Sequence, residues 1–209
     1  MFGLIRLAFS LIGFLFCVLV AVYFFRAHFV LGLVQTTLEK STGRQLIAST
    51  PRMSGWTPLF FSLDRAVLLN PPQFPKSDFI VLRSVEVKFR DPSWPTILDV
   101  EKISLDIEQM TIVRHADGSL NFQVPEEGQE LIPLLQIDEV SVSIRSVFYY
   151  DYTSSENPVP KFFLLNQKST YNSVKSHRQL AKIILDPLKQ ILDNYLTGTD
   201  DRANTTARH

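Results

Sequence analysis

The sequence predicts an α+β protein: an N-terminal transmembrane helix, an antiparallel β-sheet, and a flanking amphipathic C-terminal helix. Three observations predict it. Residues 7–25 contain no charge. After Arg44 the apolar residues recur every second position. After Ser173 they recur at three- and four-residue spacing.

The first stretch, LAFSLIGFLFCVLVAVYFF, is nineteen residues long and bracketed by Arg6 and Arg26. At about 1.5 Å per residue a helix of this length matches the ~30 Å hydrocarbon core of a bilayer. Thirteen of the nineteen are Leu, Ile, Val or Phe, which favours insertion. The apolar run is longer than a signal-peptide core and ends on bulky Val22-Tyr23-Phe24-Phe25, with no small-x-small cleavage site. An uncleaved, single-pass signal anchor is therefore expected over residues 1–26. Cys17 is the only cysteine, so no intrachain disulfide can form. It follows Phe16 inside the span, which argues against lipoprotein processing.

Positive and negative residues balance at 21 each. That balance gives no electrostatic footprint for nucleic acid. Residues 27–44 read as an amphipathic helix, with Phe29, Val30, Leu33, Val34, Thr37 and Leu38 on its apolar side and Gly43 as its stop.

Residues 45–172 form the expected sheet. Residues 57–69 read as one long strand, with Phe61, Leu63, Arg65 and Val67 on one side, ended by Asn70-Pro71-Pro72. Val85, Val87 and Phe89 alternate with Glu86, Lys88 and Arg90. Ile103, Leu105 and Ile107 alternate with Ser104, Asp106 and Glu108, and the apolar phase then slips, predicting a bulge near Gln109. Asp117-Gly118 signals a tight turn into a short strand at 120–122. Val140, Val142 and Ile144 alternate with Ser141, Ser143 and Arg145, and a last strand follows from Lys161. Strands joined by turns, with no helix between them, predict antiparallel pairing. Residues 173–196 return to helical period, with Leu180, Ile183, Ile184, Leu188, Ile191, Leu192 and Tyr195 in one stripe. Pro187 should kink or split that helix. Residues 197–209 are expected to be a disordered polar tail.

Nothing converges on chemistry. His28, His115, His177 and His209 are scattered, with no metal-ligand spacing. There is no nucleophile elbow, phosphate loop or dinucleotide fingerprint. Glu86, Asp106 and Glu108 alternate with apolar residues, the pattern of a solvated sheet face. No enzyme activity and no cofactor are expected.

One ordered set of segments is more specific. Residues 41–44 (Ser-Thr-Gly-Arg) end the first helix, residues 55–58 (Gly-Trp-Thr-Pro) open a strand into Asn70-Pro71-Pro72-Gln73-Phe74, and residues 115–122 read His-Ala-Asp-Gly-Ser-Leu-Asn-Phe. This resembles the N-terminal region of AsmA-like proteins, a family of bacterial envelope proteins, over residues 5–123. Asn70, Pro71 and Phe74 match one turn of that pattern, and Asp117, Gly118 and Asn121 match another. The resemblance implies a bacterial inner-membrane anchor with its C-terminal bulk in the periplasm, and a curved sheet whose apolar inside guides lipids. Six or seven strands spaced about 4.8 Å apart make a sheet only about 30 Å wide. A short lipid-holding module, or one subunit of a larger assembly, is the form this implies.

The expected partners are membrane lipids, with envelope proteins or further copies of the chain. The candidate lipid-contact face is Val85, Val87, Phe89, Ile103, Leu105, Ile107, Val140, Val142 and Ile144. The same residues could instead be an ordinary core packed under the C-terminal helix. In that case the chain would be a non-transporting, membrane-anchored scaffold or assembly factor of an envelope complex.

Overall fold

The computed structural model describes residues 27–28, 30–36, 38–40, 42–55, 58–91, 97–122 and 134–196. The expected span at 7–25 and the polar tail lie outside them. Among the described residues no helix is long and apolar enough to cross a membrane.

A first helix, α1 (residues 27–42), leads into eight strands. These are β1 (Leu46–Ala48), β2 (Arg52–Ser54), β3 (Leu59–Leu63), β4 (Ala66–Leu69), β5 (Asp78–Asp91), β6 (Ile97–Arg114), β7 (Leu134–Asp151) and β8 (Lys161–Val174). A second helix, α2 (His177–Leu196), follows. All eight strands join one sheet in the order β1-β4-β5-β6-β7-β8, with β3 also on β5 and β2 on β3.

The expected antiparallel sheet needs one correction: β6 and β7 are parallel, in register from Ile97 opposite Leu134 to Arg114 opposite Asp151. Hydrophobic alternation reports which face a residue takes, not the direction of its neighbour. The Asp117-Gly118 turn, with Gly118 at φ 85°, does fold back, but only as a single bridge between Arg114 and Leu120. The chain then crosses over to begin β7 at the far end of the sheet, as parallel neighbours require.

The expected strand over 57–69 is two strands. β3 pairs with Val85–Phe89 and β4 with residues 78–82, so the two follow each other along one edge of β5. The break at Asp64-Arg65 resets the phase: Phe61, Leu63 and Ala66 are buried, while Val67 is not. The short β1 and β2, which alternation over three residues cannot signal, complete that edge. The bulge near Gln109 is present: Gln109 and Ile107 pair with consecutive residues Val81 and Leu82, leaving Glu108 out of the ladder.

Cross-strand partners lie on the same face of a sheet, and the register stacks the apolar residues into rows. Leu63, Val85, Leu105 and Val142 form one row; Phe61, Val87, Ile103 and Val140 the next. Ala66, Leu82, Ile107 and Ile144 continue the face on the other side. The opposite face is polar, with Lys102 paired to Glu139 at 2.7 Å and Arg145 to Asp106 at 3.3 Å. Such surface pairs contribute at most about 1 kcal/mol each.

The predicted stripe of α2 is the side that packs on the apolar face: Leu188 and Leu192 are buried in the core, and Leu180, Ile183, Ile184, Ile191 and Tyr195 pack around them. Pro187 does not split the helix, which runs unbroken through it. The stripe predicted for α1 is displaced. Among its described residues Ala27 and Leu31 are buried, whereas Leu33 and Val34 are exposed; Phe29 and Thr37 of the predicted stripe lie outside the described residues. Leu31 and Val30 sit with Phe61, Leu63 and Ala66 in a second cluster. Gln35 turns toward the same side, donating to the Leu46 carbonyl at 2.9 Å. Gly43, at φ 67°, ends α1 by donating its N–H to the Glu39 carbonyl at 2.8 Å.

Leu188 is the most deeply buried residue of α2. Leu188→Ala is expected to destabilise the protein by about 2–5 kcal/mol in urea unfolding. Leu196→Ala, at a 52% exposed position, should change it by under about 0.5 kcal/mol.

Candidate functional site

The nine candidate lipid-contact residues lie on one face, as the rows above show, but they are not equally accessible. Ile103, Ile107, Val140, Val142 and Ile144 are buried. Val85, Val87, Phe89 and Leu105 are half-buried. The difference follows from the helices. On the β7–β8 side α2 is in close contact: the space between Ile183 and Pro187 of the helix and Val142, Ile144 and Tyr171 of the sheet is only about 10 Å³, the room of a single water molecule. On the other side α1 packs on β3 and β4. Val87 and Phe89 touch both apolar clusters. The strip at Val85, Val87, Phe89 and Leu105 thus lies between the two covering helices.

Three polar side chains far apart in sequence meet at the end of the sheet where β4 finishes and β5 begins. Arg44 comes from the end of α1, Asn70 from the end of β4, and Asn121 from the turn after β6. Asn121 is 2% exposed and uses its whole amide: its Oδ1 accepts the Val113 N–H at 2.9 Å, and its Nδ2 donates to Asn70 Oδ1 and to the Thr111 carbonyl, both at 2.7 Å. Asn70 Nδ2 donates to the carbonyls of Lys76 at 2.9 Å and Asp78 at 3.3 Å. The Arg44 guanidinium donates to Asn70 Oδ1 at 3.3 Å and to the Asn121 carbonyl, and lies 4.1 Å from the centre of the Phe79 ring. Phe79 in turn stacks on Phe122, with ring centres 6.5 Å apart.

Burial pushes Arg44 down to about 10, so it is still charged at neutral pH. The acceptors around it are neutral carbonyl oxygens, and the aromatic face supplies the rest of its stabilisation. Arg44, Asn70 and Asn121 thus bring together three turn segments far apart in sequence. Asn-Pro and Asp-Gly taken singly are generic turn formers. Their conjunction is a buried polar lock holding α1, the β4–β5 turn and the β6 turn together. Sequence reading found the pieces but had no signal that they touch.

At the same end of β6 and β7, the Tyr149 hydroxyl donates to Asp151 Oδ2 at 2.9 Å, and its ring packs edge-on to Tyr195 at 5.4 Å. Burial, followed by the neighbouring Asp151, pushes Tyr149 up to about 12. Burial works against the Asp151 carboxylate, but hydrogen bonds from Thr153 and Tyr149 together with the Arg114 charge hold the group below its ordinary value. Among the described residues no three His, Cys, Asp or Glu side chains group as a metal site would need. His115 lies 3.3 Å from Asp117 within the turn and edge-on to Phe74.

No protein-family model, no curated protein and no solved structure matches this chain.

Removing the Asn121 amide orphans a buried N–H and a buried carbonyl, and leaves Asn70 Oδ1 with only its longer bond from Arg44. Asn121→Ala is expected to lower stability by about 2–4 kcal/mol in chemical unfolding, since each orphaned buried group costs about 1–3 kcal/mol. The Tyr149 shift gives a second expectation. Its proton is held more tightly in the folded state, so its contribution is full below about pH 10 and is lost as pH rises toward about 12. The stability difference between wild type and Tyr149→Phe should therefore shrink across that window in pH-dependent urea titrations. A difference independent of pH would contradict it.

Proposed function

We propose that this chain is a membrane-anchored envelope protein of the AsmA-like kind, placed on the periplasmic side of the bacterial inner membrane. There its sheet holds or passes lipid acyl chains, alone or within a larger assembly. The observation that carries this reading is the half-buried apolar strip of Val85, Val87, Phe89 and Leu105, where the two helix-covered clusters meet. The strip lies beside the start of α1. The Arg44 node fixes the end of α1 at the β4–β5 turn, so its first residue lies about 24 Å back along the face. Leu33 and Val34, exposed on α1, suit a helix lying at a membrane interface. The contact face is thereby narrowed from nine residues to these four.

A specific observation favours a second reading. The seat of α2 on Val142 and Ile144 leaves only about 10 Å³ between helix and sheet there, as a non-transporting scaffold or assembly factor would have. The two readings differ in one measurement. The full chain is purified in mild detergent and its bound phospholipid quantified by mass spectrometry. On the lipid reading, Val87→Glu and Leu105→Glu each lower the lipid-to-protein ratio about tenfold, ~1.4 kcal/mol of binding, with unchanged circular dichroism. Lipid absent from wild type, or retained equally by both folded variants, sinks the lipid reading in favour of the scaffold.

A further inference from the structure

Among the described residues β8 pairs with β7 alone and is the edge of the sheet. A free edge is a template for another strand, and proteins normally blunt it with charge, proline or a bulge. β8 is blunted in only one half. Its middle carries a bulge: Ser146 pairs with Leu164 and Ile144 with Gln167, so Leu165 and Asn166 share one opposing position, with Asn166 at φ 47°. Beyond the bulge the strand reads Lys168-Ser169-Thr170 and is polar. Before it the strand reads Lys161-Phe162-Phe163-Leu164-Leu165. Phe162 is 55% and Leu164 64% exposed, both on the face opposite the helices. Phe162 leans on Phe148, with ring centres 5.0 Å apart.

We propose that this half-strand is the contact between two copies of the chain, paired antiparallel about Phe163. A two-fold axis through Phe163, normal to the sheet, sets Phe162 of each copy opposite Leu164 of the other. The two exposed apolar residues thus cover each other twice, as an isologous interface requires. The ladder ends where it must. Its next pair sets Pro160, which has no N–H to give, against the bulged Asn166. Sliding two residues one way puts Leu164 against Pro160; sliding the other way puts Phe162 against Asn166. Only the Phe163-centred register pairs all five residues 161–165. It also keeps the two Lys161 ammoniums at opposite ends of the ladder. Both apolar faces remain on the same side, so the sheet doubles in width without turning over. This inference rests on the edge geometry and is independent of the lipid reading.

Cross-linking of the full chain in cells tests it. Cys17, the only cysteine, is replaced by Ser, and two differently tagged copies are co-expressed, one carrying Phe162→Cys and the other Leu164→Cys. A short bis-maleimide is expected to join the two tags in one band, well above either variant expressed alone. Adding Leu164→Asp to the Phe162→Cys copy leaves the cysteine pair in place but sets a carboxylate against the other Phe162. It should lower the cross-linked fraction about tenfold. No mixed band, or one matched by a Lys168→Cys pair, overturns the proposal. So does quenching of labelled Phe162→Cys by nitroxide lipids without a mixed band, which would assign the patch to a bilayer surface instead. Phe162 and Leu164 are exposed, so the variants retain the fold, and their expression level and circular dichroism confirm it.

Discussion

Most of this structure depends on one constraint: a sheet with a continuous apolar face must take that face out of water. At ~25 cal/mol per Å² of apolar surface, leaving several rows of Val, Ile and Leu exposed would be incompatible with a stable monomer. Two amphipathic helices divide the work. α2 covers the β7–β8 side with Leu188 and Leu192, and α1 covers β3 and β4 with Leu31. Each helix is about 10 Å across with its side chains, and the sheet is about 30 Å wide. Two helices therefore cannot close the whole face, and the half-buried strip at Val85, Val87, Phe89 and Leu105 follows from that arithmetic.

The node at Arg44, Asn70 and Asn121 shows why the ends of these elements are polar. Hydrophobic rows are permissive about register, because Val, Ile and Leu exchange with little penalty. Two buried amides with every donor and acceptor engaged are not. Once Asn121 holds Val113, Thr111 and Asn70 together, the turn after β6 has one position and α1 has one endpoint. That fixed endpoint sets where α1 lies against the sheet. A core built from the apolar rows alone would leave α1 free to slide.

Alternation showed the inward residues of β5, β6 and β7, the bulge near Gln109 and the stripe of α2, because these are periodic over many residues. What alternation could not show was direction and partnership. The parallel β6–β7 pair satisfies the same pattern as an antiparallel one. The reset between Leu63 and Ala66 comes from two strands sharing β5, a tertiary fact. α1 was read one step off, because Gln35 makes a hydrogen bond on the covered side while Leu33 and Val34 stay outside. For the candidate face, alternation put the nine residues on one side of the sheet, which the register shows. Which of them a ligand could reach depended on where α2 sat, and no local signal carries that.

The parallel pair also bears on how the sheet can grow. In a wholly antiparallel sheet each added strand reverses the chain. The crossover after β6 instead restarts β7 in the direction of β6 and shifts the chain's path across the full length of the sheet. The strands on either side of that ladder are then two groups, β1–β6 and β7–β8, stacked edge to edge with their apolar faces aligned. The second group is only two strands wide, ends on the half-blunted edge of β8, and is covered on its apolar face by α2. A sheet assembled this way would be extended by more strands at β8, an edge whose half-strand 161–164 keeps Phe162 and Leu164 exposed. The covering helix and the open edge thus limit the module in different ways: α2 limits how much of the existing face stays uncovered, whereas β8 is the edge at which, on the proposed pairing, a second copy would continue that face.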